Sequence, residues 1–212
     1  MNKKERAAEI FDRLSKRYPS PQPALTYTTP WELLVATALS AQCTDERVNM
    51  VTPAFFERWP AIRDAAEADV TEIEEVVRST GFFRNKAKNI KAAARRIMDE
   101  YNGEVPRTMA ELVTLGGVAR KTASIVLANA FGVNEGIAVD THVKRLAFRM
   151  GLTTKTDPIQ IEKDLMPLFP REHWGDVNHI LVFFGREVCP ARKPHCDACE
   201  LADICPKKGV AQ

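Results

Sequence analysis

At 212 residues, with 45% apolar and 27% charged side chains and a formal net charge of +2, the chain can bury a sizeable core in one domain or two small lobes. No apolar run is long enough to span a bilayer, and no signal-peptide core follows the charged start Met1–Arg6. Four of the five cysteines crowd near the C-terminus instead of pairing through the chain, which fits a reducing compartment; the expected address is the cytoplasm, or the nucleoid in a bacterium.

Taken in chain order, the segments read as helices. The proline-rich stretch Pro19–Pro30 is a loop. Ile73, Val76 and Val77 share a face of a helix begun near Asp69 and closed before Gly81. Ile90, Ala94, Ile97, Met98 and Tyr101 form the apolar stripe of a longer helix that stops at Asn102-Gly103. Thr108-Met109-Ala110-Glu111 is a capping-box pattern, and Arg120-Lys121-Thr122-Ala123 opens another helix with Ile125, Val126 and Leu127 behind it. Val143, Leu146, Ala147 and Met150 follow Asp140 and stop at Gly151. Asp157-Pro158 offers a cap and a first-turn proline, and His173 to Val188 leads into the cysteines. The expected fold class is all-α, as two helical lobes. One comprises residues 1–25 and 132–212, the other residues 26–131, and the groove between them is the default ligand site.

Charge is distributed unevenly. Seven basic residues and no acid lie between Arg78 and Arg96: Arg78, Arg84, Lys86, Lys88, Lys91, Arg95 and Arg96. Between Glu57 and Glu75 seven acids face only Arg58 and Arg63. Opposite faces of opposite sign suit an oriented approach to a polyanion, although a basic run alone is as often a solvated helix face.

Cys189, Cys196, Cys199 and Cys205 are separated by six, two and five residues. Seventeen residues cannot bury much of a core, so four thiols there point to one inorganic centre, an iron–sulfur cluster or zinc. Only Cys196 and Cys199 form a knuckle of the zinc-site kind. Four protein ligands leave no open position, so the centre is structural. Cys43, alone in an apolar stretch, is expected to be a small buried hydrophobe.

Between the capping box and the next helix lies Leu115-Gly116-Gly117-Val118-Ala119. Two glycines permit a tight turn and the close approach of another backbone. The helix N-terminus that follows presents free N–H groups able to hold a phosphate. The pattern is a helix–hairpin–helix suited to a DNA backbone. Lys121 sits in that first turn beside Arg120, where positive charge is disfavoured. A neutral amine there can attack a sugar carbon and form a Schiff base, or the lysine can simply bind phosphate. Asp140, directly ahead of its helix, is expected to be an N-cap and could also stabilise positive charge on a sugar ring losing its base. His142 is a cap or surface histidine, or a second polar group beside it.

Leu115–Ala123, the Val139-Asp140-Thr141-His142 motif and the 6-2-5 cysteine spacing together resemble the endonuclease III family, bifunctional DNA glycosylases of the helix–hairpin–helix superfamily with a Gly/Pro-Asp loop. The likeness extends to Leu39-Ser40-Ala41-Gln42 and Asn102-Gly103-Glu104-Val105-Pro106. It implies two helical lobes, a [4Fe–4S] cluster held by Cys189, Cys196, Cys199 and Cys205 in the loop 189–205, and a hairpin at 108–131. It implies a monomer that removes oxidised pyrimidines from duplex DNA and cuts the strand at the abasic site, with Lys121 forming the Schiff base and Asp140 assisting. Gln42 resembles the residue pushed into the gap left by an extruded nucleotide, and Phe82 a second, apolar wedge. Gly116, Gly117, Val118, Ala119, Arg120, His142, Arg84 and Lys86 complete the expected DNA contacts.

Three positions depart from the family pattern. Gly116 replaces a proline and loosens the turn, and Ala119 replaces a second glycine, which disfavours any positive φ there. Val113 stands where many relatives carry an acid. Two other functions stay open: a monofunctional mismatch glycosylase, whose adenine-removing members usually lack the hairpin lysine, and a non-catalytic, cluster-bearing DNA-binding or redox-sensing protein.

Overall fold

The computed structural model describes residues 1–210, and every regular element among them is helical. The chain divides into two compact units, one of Met1–Gln22 with the chain from Asn134 onward, the other of Pro23–Val133. None of the helices is long and apolar enough to cross a membrane.

The central unit contains α2 (Pro30–Leu39), α3 (Asp45–Arg58), α4 (Ile62–Glu67), α5 (Val70–Val77), α6 (Phe83–Glu100), α7 (Met109–Leu112) and α8 (Arg120–Phe131). α2 is apolar on every side and buries Trp31, Leu33, Leu34, Val35, Ala36 and Leu39, which places it at the centre of the core. It starts with Pro30 in the first turn and Thr29 accepting from Glu32 N at 3.2 Å. α6 is amphipathic: Ala87, Ile90, Ala93, Ala94 and Ile97 form its buried stripe. It ends, as the Asn102-Gly103 pair anticipates, with both residues at positive φ (53° and 77°) and Gly103 N donating to Ile97 O at 3.0 Å.

The other unit contains α1 (Lys3–Arg17), α9 (Thr141–Arg149), α10 (Pro158–Leu165) and α11 (Trp174–Glu187). Ala7, Ile10 and Leu14 of α1, Val143, Leu146 and Ala147 of α9, and Val177, Ile180, Leu181 and Phe184 of α11 belong to one core. Helix spacing of three and four residues puts each set on one face. Gly185 lets α11 approach α9: a Cβ there would lie 2.9 Å from His142 Nδ1 and 3.0 Å from Arg145 Nη2. Arg13 of α1 reaches the cysteine segment, with Nη1 donating to Glu200 O and to Asp203, both at 2.7 Å.

The two charged runs pack directly against each other. α6, which carries most of the basic run, packs on α4 and α5 of the acidic run. Lys91 Nζ donates to Ala68 O, Arg95 Nε to Ala66 O and Arg96 Nη1 to Thr114 O, while Arg84 pairs with Glu74 at 3.9 Å. Several basic residues therefore satisfy carbonyls that short helices and turns leave without backbone partners.

Candidate functional site

The hairpin is built on α6. Thr108 caps α7, its Oγ1 accepting from Glu111 N at 3.3 Å and donating to the Glu111 carboxylate at 2.7 Å. Leu115 and Val118 are buried, and Val118 N donates to Leu115 O at 3.1 Å, closing the turn. Only Gly117 needs a left-handed backbone, with φ +75°. A Cβ on it would fall 2.7–2.9 Å from the Asn89 side chain, and one on Gly116 3.1 Å from both Asn89 O and Ala92 Cβ. Gly116 therefore serves contact with α6. Ala119 has φ −84° and ψ 166°, extended backbone that alanine adopts freely, so its departure from glycine costs the turn nothing.

Ala119 is also the N-cap of α8. It supplies no side-chain acceptor, and the first turn contains no acid. The leading N–H groups of α8 consequently have no side-chain cap, a natural seat for an anion. Lys121 lies in this turn and is exposed; Val113, in the turn before it, is 43% exposed.

Gln42 and Phe82 lie on two turns that border one recess of about 240 Å³, together with Ala38, Ala41, Asn85, Lys86, Asn89 and Gly117. Both are non-glycine residues in the left-handed region, at φ 53° and 46°, and both are exposed, Phe82 to 65%. Strained backbone of this kind concentrates where the surrounding structure imposes it for function. Arg84 is exposed beside them.

Lys86 is a correction to the expected set of DNA contacts. It is 6% exposed, and its Nζ donates to Leu39 O at 2.8 Å and Thr80 O at 2.7 Å. Burial pushes its pKa down. Neutral or charged, the amine has enough N–H groups for both carbonyls. Cys43 is half-buried against the same core, close to the small buried hydrophobe anticipated.

In the other unit Asp140 is the N-cap of α9, half-buried, with Oδ1 accepting from His142 N and Val143 N at 2.8 Å each. His142 Nδ1 lies 3.1 Å from Arg145 Nη2, and burial, with Arg145 and Arg186 nearby, pushes its pKa down. Arg145 donates through Nη2 to Gly185 O at 2.8 Å and to Cys189 O at 3.1 Å. Arg149, 7% exposed, donates to Pro190 O at 2.7 Å, Ala191 O at 2.9 Å and Cys189 Sγ at 3.2 Å.

All four clustered cysteines line one recess with Met150, Phe184, Val188 and Leu201. Among the described residues no three His, Cys, Asp or Glu side chains converge tightly enough for a single metal ion. Four soft donors suit an iron–sulfur cluster as well as zinc, and Arg149 and the Leu201 N–H, 3.4 Å from Cys199 Sγ, suit the negative charge of either. Burial pushes the Cys199 and Cys205 thiols up, so their ligation releases protons.

Asn89, Arg145 and Arg149 were not anticipated. Asn85 and Asn89, four apart, share a helix face with the recess, and Arg145 and Arg149 repeat that spacing on α9. That periodicity is the signal that could have found them.

Comparison with known proteins gives consistent matches. The family model of HhH-GPD superfamily base excision DNA repair proteins matches residues 35–171. Endonuclease III of Synechocystis sp. is 58% identical over 205 residues, covering 97% of this chain and 94% of that protein. Endonuclease III of Escherichia coli is 38% identical, covering 98% of each. A solved structure of a trapped endonuclease III–DNA covalent intermediate superposes with a TM-score of 0.92 at 42% identity, covering 98% of this chain and 97% of that one.

Proposed function

The chain belongs to the HhH-GPD superfamily of base excision DNA repair proteins, and from that premise we propose that it is a DNA glycosylase and abasic-site lyase that removes oxidised pyrimidines from duplex DNA. The observation that carries this reading is Lys121: an exposed amine in the first turn of a helix with no side-chain cap, on a hairpin whose glycines seat it against α6.

The leading N–H groups of α8 and the Gly116–Ala119 turn bind a DNA phosphate and set the register of the backbone. Gln42 and Phe82 fill the space vacated by an extruded nucleotide, because the sugar carbon is inaccessible while the base is stacked. Arg84 and Arg120 add phosphate contacts. The Lys121 Nζ lone pair attacks C1′, the N-glycosidic bond breaks, its electron pair leaves with the base, and the base takes up the proton that the new C1′ ammonium sheds. The carboxylate of Asp140 stabilises positive charge on the sugar as the base departs. The C1′–O4′ bond breaks with its pair going to O4′, which takes up a proton from water, yielding the protonated Schiff base; loss of a C2′ proton follows, and the 3′ phosphate is expelled with its bonding pair. His142 is held neutral by its surroundings and serves as a hydrogen-bonding group at the start of α9.

The endonuclease III family carries a [4Fe–4S] cluster. Cys189, Cys196, Cys199 and Cys205 would hold it, and it would supply a charged staple for the C-terminal loop. Arg149 and Arg145 orient that loop on α9.

Borohydride reduction in the presence of a duplex containing thymine glycol tests the reading. A covalent protein–DNA adduct is expected from the wild type and none from Lys121→Ala. Absence of the adduct while duplex binding is intact would overturn it.

A further inference from the structure

Lys86 occupies an expensive position. Its place in α6 is in phase with Ile90, Ala93 and Ile97, so the helix directs it to the core face, where an amine without partners is strongly disfavoured. A leucine or methionine would fill that space with no polar group to satisfy. What lysine adds is a donor cluster at the end of a long stem, and both of its recorded bonds go to backbone carbonyls of other segments.

Those carbonyls are not arbitrary. Leu39 ends α2 and lies three residues before Gln42; Thr80 ends a 3₁₀ turn and lies two residues before Phe82. The same nitrogen therefore joins the two turns that carry the two left-handed, exposed non-glycine residues of the recess. The backbone of Lys86 contributes at its other end, since its N–H donates to Phe82 O at 3.1 Å, as does that of Asn85. Lys86 also lines the recess itself.

We propose that Lys86 is a positioning residue for nucleotide extrusion: by joining the Leu39 and Thr80 carbonyls it holds the Gln42 and Phe82 turns at the separation needed for both side chains to enter the duplex together. This rests on the glycosylase reading above and adds to it an assignment of what fixes the two wedges. Lys86 makes no phosphate contact of its own. Its loss leaves each turn intact but lets the two move independently, so one wedge enters without the other.

The test compares two substrates, a duplex bearing thymine glycol and a single-stranded oligonucleotide bearing an abasic site, on which no base need be extruded. Lys86→Met keeps the stem and removes the donors. Its single-turnover rate on the duplex should fall about tenfold or more relative to its rate on the single strand, within the roughly hundredfold that a one-ångström misplacement can cost. The fluorescence rise of 2-aminopurine beside the lesion on binding should be lost, and Lys86→Arg, which can again reach both carbonyls, should restore most of both signals. A parallel fall on the two substrates, or a ratio within about twofold of wild type, overturns the proposal by the same yardstick. If Lys86→Met does not fold, Lys86→Gln, which retains one short donor, is read by the same ratio. If the wild type gives no borohydride adduct, the glycosylase reading fails separately, and the 2-aminopurine signal alone decides whether Lys86 couples the two turns.

Discussion

Arg149 Nη1 lies 3.2 Å from Cys189 Sγ and donates to it, while the same guanidinium holds the Pro190 and Ala191 carbonyls. A single buried cation thus binds the first cysteine of the cluster loop and the two residues after it. Arg149→Met removes every one of these donors and leaves the three acceptors of part-buried hydrogen bonds without them. A loss of about 2–4 kcal/mol in unfolding free energy is expected from such orphaned groups. Iron content and the absorbance near 400 nm after purification should fall in the same variant. A variant with wild-type stability and full iron content would show that Arg149 does not hold the loop.

The hairpin makes two opposite predictions at neighbouring positions. Gly117→Ala must place a Cβ 2.8 Å from Asn89 Cβ while adopting φ +75°, so it should destabilise the central unit by about 1–3 kcal/mol and weaken duplex binding. Ala119→Gly, which restores the usual family residue, should change stability by less than about 1 kcal/mol, because φ is already negative and glycine is a better N-cap than alanine. Denaturant unfolding of the two variants checks both magnitudes at once.

Much of the fold was legible because helical periodicity and end signals agreed. Asp69, Asp140 and Asp157 each cap the helix that follows them, and Asn102-Gly103 ends α6 with both residues at positive φ. The charge pattern was less legible, since a run of like charges along a sequence says nothing about which side chains a neighbouring helix end will recruit. Lys91 and Arg95 proved to be partners of the Ala68 and Ala66 carbonyls at the end of α4, a two-turn helix too short for periodicity to announce. Lys86 is placed by phase, four residues before Ile90 on the apolar stripe, although its charge alone argues for the surface. The hairpin was recognisable from its glycines, but the division of labour between Gly117, which needs positive φ, and Gly116, which needs room beside α6, depends on a partner helix that no local pattern names.

The corrected charge pattern predicts a specific salt response. Arg84 and Lys88 are exposed, and replacing either with alanine should reduce the slope of log K against log salt by roughly 0.9 if it contacts a phosphate. Lys91→Ala should leave that slope unchanged and instead lower stability, because its amine holds the Ala68 carbonyl. Duplex binding measured at several salt concentrations separates the two kinds of basic residue. Equal slopes for all three variants and the wild type would remove Arg84 and Lys88 from the interface.

Tyr18 gives a pH dependence with a definite sign. Burial and its 2.7 Å hydrogen bond to the Glu187 carboxylate push its hydroxyl up to about 12, against which the neighbouring Arg17 acts only weakly. The neutral phenol is the form the fold prefers, and the unfolded chain releases that proton at about 10. The stability Tyr18 contributes is therefore complete below pH 10 and disappears as pH rises toward 12, where the folded protein also ionises. Tyrosinate absorbance should show a group titrating at about 12 that is absent in Tyr18→Phe. The same substitution should flatten the alkaline fall in melting temperature without altering it at neutral pH by more than the loss of one partly exposed hydrogen bond. A Tyr18→Phe protein whose alkaline melting curve still overlays the wild type would mean that the Tyr18–Glu187 contact does not persist in solution.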